Sequence, residues 1–461
     1  MDVVGSCRPT RAAMPVAVFA FSATVVLIIS TAACSRTADT TSEGELPIIG
    51  GIDGQAAFAA AEELAGPRYA GRIVGGDGSA AARAYIRSRL EEAGIRVTVM
   101  DFPERVALND GGAFLRVTPP GRQTADFAFR SDFREAPLHG FDGGQAFGPL
   151  GLLAGTGFEP GAILLVPKEA RPREIVCGLA EAGAAGLLVE LERSAPDLRP
   201  LWPGYEPGTL VTVKRGMPIL GLSGEAFAAI ESIVASAWPD APFVEMASPA
   251  RFADATGANL LAEWNGDGGA YEPGYVVMAH YDHVGSDPDG SYFPGALDNA
   301  SGVGIVVALA EAAASYRPRV DLAFLFTDAE ETGLGGAAAF VRSPPFPLGG
   351  VSVINLDMIG SEAETLYHVY SSGGQAGVSL SLQVERALSS GGVPAASEHP
   401  VDGADHAPFA RAGVAAVTVC EYDTEHYHRK DDLPKYLDQD ELDAVGDVLY
   451  RLIATAAVGG P

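Results

Sequence analysis

Three apolar runs in the second half of the chain end in residues that a buried strand does not ordinarily carry. "YVVMA" from Tyr275 leads into His280, Asp282 and His283, "VDLAFLF" from Val320 into Asp328, Glu330 and Glu331, and "VSVINL" from Val351 into Asp357. Short apolar runs bounded by turn signals are consistent with strands buried on both faces. Carboxylates are excluded from such surroundings unless they are paired or bind a cation. A solvated loop can hold one such ending; three at the same end of successive strands imply a shared site. In open α/β sheets that edge is where sites are built.

The neighbouring patterns extend this reading. "GALDNASGVGIVVALAEAAAS" places Asp298 and Asn299 in a Gly-bounded turn before a helix. Asn299 or Ser301 would cap that helix, which leaves Asp298 unexplained. Upstream, a helix is expected from Ser79 to about Glu92, stopped by Gly94 and followed by a strand. The alternation resumes at "GANLLAEWNG" near 257 and ends in an amphipathic helix from about Asp438 to Val458. The fold class is therefore α/β, a mixed, mainly parallel sheet with helices on both faces.

That sheet is expected from residues 47–105 and 253–461. Residues 106–252 differ, with Pro and Gly spread among short strands such as "GAILLVPK", "GLLVELE" and "MPILGLSGEAFAAI". They read as an inserted, non-catalytic β-rich domain holding one histidine, His139, and no carboxylate cluster.

Composition narrows the partners. A chain of 461 residues, 47% apolar and 20% charged, is long enough for a sizeable core. A formal charge of -28 argues against nucleic acid or an anionic membrane surface. Arg8 and Arg11, the uncharged stretch 14–30 and "TAAC" describe an export signal over 1–33. Cys34 after Ala32 and Ala33 resembles the bacterial lipoprotein signal, whose processed cysteine carries the lipid. Thr31 departs from the aliphatic residue that pattern prefers, so ordinary cleavage after Ala33 and an uncleaved anchor stay open. Residues 34–46 are a polar tether, and membrane contact is expected only through that lipid or anchor. Cys177 and Cys420 are too few for a disulfide framework.

The last piece is "CEYDTEHYHRKDD", which adds His426, Tyr427, His428 and Asp432 after the apolar run "GVAAVTV". Histidines with two or three carboxylates are the ligand types of a hydrolytic Zn²⁺ site. One carboxylate can serve two ions.

The motifs "AHYDHVG", "GALDNASG", "AEETGLGG", "NLDMIG", "DHAPF" and "YHRKDD", in this order, resemble the zinc aminopeptidase family with two co-catalytic metals, relatives of secreted bacterial leucyl aminopeptidases. The resemblance covers about 47–105 and 253–461 and implies a zinc exopeptidase fold acting on peptides. Several members carry a protease-associated domain before the first metal motif, and 106–252 resembles it at 161–191 and "MPILGLSGEAF". By the same resemblance two Zn²⁺ are expected, one on His280 and Asp357, the other on Glu331 and His428, with Asp298 bridging. Glu330 would be the general base, Tyr427 an oxyanion donor, and Asp282 the acceptor of the second ring N–H of His280.

His283 and His426 are read as supporting groups beside the ligands, and Asp405 and His406 as loop-ordering groups. Arg429 and Lys430 stand where the family often has Thr-Pro, which puts that loop's conformation in question. His139, His368 and His399 have no clustered partner and no assigned function. Three alternatives remain. A carboxypeptidase or dipeptidase of the same fold would need arginines at the site, with Arg342, Arg411 and Arg429 nearest the motifs. A glutaminyl cyclase uses one zinc, and a non-enzymatic receptor would have lost ligands that this chain retains.

Overall fold

The apolar runs form strands whose alternate residues enter two different cores. The computed structural model describes residues 50–153, 157–191, 212–214, 216–266, 268–362, 366–422 and 425–455. The expected export signal, the tether with Cys34, and the helix end at Val458 lie outside the described residues. The strands of the principal sheet are β1 (Arg96–Asn109), β2 (Ala250–Trp264), β3 (Tyr275–His280), β4 (Leu322–Thr327), β5 (Ser352–Asp357), β6 (Tyr367–Tyr370), β7 (Ala395–Glu398) and β8 (Ala415–Cys420). Its helices are α1 (Gly54–Leu64), α2 (Asp77–Glu92), α3 (Gly302–Tyr316), α4 (Gly335–Arg342), α5 (Gly374–Ser390), α6 (His406–Arg411) and α7 (Gln439–Thr455).

Val277, Phe324, Ile354 and Val417 point into a core shared with α1, α2, α3, α5 and α7. Their neighbours Met278, Leu325, Val353 and Ala416 pack on the other side with Phe340 of α4 and Phe409 of α6. This period-two division gives the sheet its helical cover on both faces, as expected.

Spatially the strands run β1-β2-β4-β3-β5-β8-β6-β7. The central four are parallel, and antiparallel pairs flank them, so the sheet is mixed with a parallel centre. From β3 the chain goes to β4 on one side and then crosses to β5 on the other. At such a reversal of strand order, a crevice opens beyond the C-terminal ends of the strands. Register places His280 opposite Thr327 and Asp357 opposite Cys420, so the strand ends line up along that crevice.

Local signals act as read. α2 ends at Glu92, and Gly94 (φ 81°) supplies the left-handed turn that stops it. Asp438 starts α7 by accepting from the amides of Asp440 and Glu441.

β1 and β2 pair antiparallel from Arg96↔Glu263 to Asn109↔Ala250 and lead the chain out of this sheet and back. Between them lies a second, eight-stranded sheet, in the spatial order 125–127, 114–118, 243–248, 144–152, 163–166, 186–190, 219–222, 133–135. Its parallel part is covered on both faces. Ile163, Leu165 and Leu188 pack with Phe227 and Ile230 of the helix Gly224–Ala237, while Leu164, Val166 and Leu187 pack with Val176 of the helix Pro172–Glu181. Of "MPILGLSGEAFAAI" only Ile219–Leu222 is strand, because Ser223 Oγ accepts the Ala226 amide at 3.1 Å and opens a helix there.

Candidate metal centre

The ends of β3, β4 and β5 and two loops bring the expected ligand residues together. His280 closes β3 and is 1% exposed. Its Nε2 lies 3.4 Å from Asp298 Oδ1 and 3.4 Å from Asp357 Oδ1. On the other side of Asp298, Oδ2 lies 3.2 Å from His428 Nε2, which in turn is 2.8 Å from Glu331 Oε2. The fourth member of this second group is His283, whose Nδ1 is 2.9 Å from Glu331 Oε1 and 3.9 Å from Asp298 Oδ2. Within His280/Asp298/Asp357, and within His283/Asp298/Glu331/His428, one ligand atom from each residue lies within 4.8 Å of the others. Asp298 belongs to both groups, one oxygen toward each.

The donor set fits divalent cations. Asp298 Oδ2 and His428 Nε2 are buried without a hydrogen-bond partner, and buried polar atoms are rarely left so. Carboxylates and imidazoles are also the donors that zinc takes. Electrostatics point the same way. Burial would lower the His428 imidazole, but Glu331 and Asp298 push it up to about 10. Burial would raise the Glu331 carboxyl, yet His428 and His283 hold it at about 2. The acidic cluster thus calls for positive charge at its centre. Beside it, burial and the neighbouring Glu331, Asp357 and Asp405 carboxylates drive Glu330 well above its usual range against the pull of His280.

Supporting residues fix these side chains. The His280 Nδ1 partner is the Asp282 backbone carbonyl at 3.3 Å, not the expected carboxylate, which stands 3.6 Å away and accepts from the Glu330 and Glu331 amides at 3.0 and 3.2 Å. One residue therefore aligns the end of β3 with the turn after β4. Asp432 accepts from the Leu297 and Asp298 amides at 2.9 and 3.1 Å, tying the last loop to the shared aspartate. Gly295 (φ 60°) precedes that turn, where a Cβ would collide with the Asp298 carbonyl, the His283 ring and the Arg72 guanidinium.

Arg72, fully buried, was not singled out by the sequence. It donates to the carbonyls of Tyr281 (2.9 Å), Leu64 (2.7 Å), Pro294 (2.8 Å), Gly295 (2.8 Å) and Asp298 (3.5 Å). All five N–H groups are used, four on backbone at or beside the ligand segments and one on the end of α1. Arg72→Met would leave these acceptors unsatisfied and is expected to cost at least about 3 kcal/mol of stability. Urea unfolding of the variant measures it; an unchanged midpoint would refute this account.

Other expectations divide. Tyr427 stacks on the His428 ring at 3.8 Å and faces the crevice with Glu330. His426 is turned aside, stacked on Tyr436 at 4.0 Å. His406 accepts from Thr418 at 2.7 Å and donates to the Val401 carbonyl at 2.9 Å, while Asp405 accepts from Thr327 at 2.5 Å, so both order loops as expected. Asp328, grouped by the sequence with the site acids, instead accepts from Tyr281 and the Ala258 amide at 3.0 and 3.1 Å and stitches β2 to the turn after β3. Burial and nearby Asp282 push its carboxyl up to about 7. His139 sits 2.6 Å from the Arg173 carbonyl in the insertion, and His368 pairs with Glu398 at 2.6 Å. Neither belongs to the ligand groups.

Residues 259–453 match the family described as Peptidase family M28. The chain carries a peptidase family M28 domain. Leupeptin-inactivating enzyme 1 of Streptomyces exfoliatus is 36% identical over 165 residues, 35% of this chain and 35% of that protein. The match thus spans about a third of that relative's length. Among solved structures, an aminopeptidase from Aneurinibacillus sp. strain AM-1 superposes with a TM-score of 0.66 at 18% identity, covering 90% of this chain and 96% of that one. A zinc aminopeptidase from Bacillus subtilis, BSAP, gives 0.63 at 20% identity over 89% and 96%. At such identities the likeness is one of fold, and it extends through the insertion as well as the M28 domain.

Proposed function

We propose that this protein is an exported aminopeptidase dependent on two zinc ions. His280 and Asp357 would hold one ion, Glu331 and His428 the other, and Asp298 would join them, with His283 donating to Glu331 from the side. Zinc held there supplies Lewis acidity toward a peptide carbonyl and lowers the pKa of water. Glu330 takes a proton from water and returns it to the leaving amine, a task suited to a carboxyl whose proton affinity is raised. The Tyr427 hydroxyl donates to the oxygen on which charge develops. Asp282 holds His280 and the Glu330 amide in register. The names of the similar proteins, the zinc aminopeptidase among them, support this reading.

One observation favours the amino over the carboxyl end of the substrate. The cavity beyond the metal centre, about 350 Å³, is lined by Asp298, Glu330, Glu331, Asp357 and Asp402, and by no arginine or lysine among its described lining residues. With Asp298, Glu331 and Asp357 engaged by zinc, Glu330 and Asp402 are the lining carboxylates left to draw a cationic amino terminus. A terminal carboxylate would need a cation to pair with, and Arg342, Arg411 and Arg429 are all absent from that lining. We also read residues 106–252 as a protease-associated domain, and 1–33 as the export signal, with Cys34 lipidated or the protein secreted.

The test is hydrolysis of aminoacyl anilides beside their N-acetylated copies by a form beginning at Ser35, with zinc measured on the same sample. Cleavage of free but not blocked substrates, with two zinc ions per chain, is expected. Cleavage of substrates with a free carboxyl end instead would move the reading to the carboxypeptidase relatives.

A further inference from the structure

The insertion meets the M28 domain at a buried cluster of charge. Arg130 lies in the turn before the strand Phe133–Glu135 and has a left-handed backbone, φ 67°. Its Nη2 is 2.8 Å from Asp287 Oδ1 and 2.8 Å from Glu135 Oε1, and its Nε is 3.2 Å from Asp287 Oδ2. Asp287 follows the His280 motif and also pairs with Lys430 Nζ at 2.9 Å. Lys430, two residues beyond His428, donates further to Ser291 Oγ at 2.6 Å. The side chains of Arg130, Glu135 and Asp287 are only 11%, 5% and 4% exposed. Fully buried Phe293 has the Arg130 guanidinium 5.8 Å and the Lys430 ammonium 5.6 Å from its ring centre.

Each feature costs free energy alone. A non-glycine residue at this φ persists only where its surroundings over-determine it, and buried ions are tolerated only when paired. Here buried Arg130 and the partly exposed Lys430 balance two buried carboxylates, with Arg130 gripping Asp287 through two nitrogens. The grip reaches the metal centre by short paths. Asp287 shares its segment with His283, and Phe293 precedes Pro294 and Gly295, whose carbonyls Arg72 holds. Lys430 sits in a tight turn closed by the Asp432 amide on the Arg429 carbonyl, and Asp432 in turn anchors the Asp298 amide. Lys430 is thus the link between the last metal loop and Asp287.

We propose that Arg130 is a positioning residue: through Asp287 and Lys430, the insertion fixes the loops bearing His283 and His428 and so sets how tightly the centre holds zinc. The insertion is then part of the site without lining its cavity. This rests on the two-zinc reading above, so zinc retention by the unaltered protein is measured first.

The experiment follows zinc release to a chromogenic chelator from the full chain, with thermal unfolding recorded alongside. Arg130→Met and Lys430→Met are each expected to release zinc about tenfold faster or more, the range seen for groups that orient metal ligands. The double variant should release it no faster than the worse single one, since both act through Asp287. Arg130→Lys keeps the charge but loses the two-nitrogen grip, so it is expected to fold and still release zinc faster. Unchanged release in folded Arg130→Lys or Arg130→Met, or fully additive effects of Arg130→Met and Lys430→Met, would overturn the proposal. An unaltered protein that binds no zinc would overturn the metal reading itself, and this inference with it.

Discussion

Replacing Glu330 by Gln is expected to lower turnover at least about a hundredfold while zinc stays bound. The two adjacent glutamates are divided by their contacts. Glu331 lies between His283 and His428, at 2.9 and 2.8 Å, and belongs to a ligand group. Glu330 belongs to neither group; it lines the cavity, where burial and then repulsion from Glu331, Asp357 and Asp405 raise its affinity for a proton. Glutamine keeps the shape and cannot accept a proton. The rate constant for an aminoacyl anilide and the zinc content of one preparation check both halves, and full activity in the variant would remove Glu330 as the base. Glu331→Gln should behave differently, losing metal before it loses anything else.

Asp298→Ala is expected to weaken both ions together, by more than about a hundredfold. Groups that merely orient a ligand are worth about 10–100-fold, and Asp298 presents one oxygen to each ligand group. Removing it also leaves His280 and His428 without their common partner. Equilibrium dialysis against zinc reads the stoichiometry and affinity. Loss of a single ion, with the second bound as tightly as before, would show that Asp298 serves one site only.

Much of this centre was legible because its residues sit at strand ends, and strand ends announce themselves. An apolar run that stops at His280 or Asp357 says where the backbone goes and that the polar residue lies at its edge. The parallel core, α2 with its glycine stop, and the first residues of α7 follow from the same local rules. What stayed hidden depends on partners far apart in the chain. Arg72 reaches a carbonyl 209 residues away, and Arg130 a carboxylate 157 residues away. No spacing encodes such a meeting.

His283 and Asp328 show the same limit from the other side. Both lie inside recognisable motifs. Yet which of them faces the ligand residues was decided by what packs against them, Glu331 for the one and the Ala258 amide with Tyr281 for the other. The insertion's second helix, Gly224–Ala237, was hidden for a third reason. Short apolar stretches such as "GEAFAAI" suit strand or helix, and only the cap at Ser223 separates them.

The long pairing of β1 with β2 bears on how the chain can assemble. Asn109 and Ala250 are partners at its outer end, although some 140 residues separate them in sequence. Closing a flexible loop of that length carries an entropic term on the order of 4 kcal/mol. If the second sheet forms early, it delivers those two residues side by side, and the ladder can then zip inward from Asn109↔Ala250 toward Arg96↔Glu263 as a hairpin does. The segment that looks like an interruption of the M28 domain would then act as its nucleus of closure, lowering the barrier to a sheet whose halves are otherwise remote.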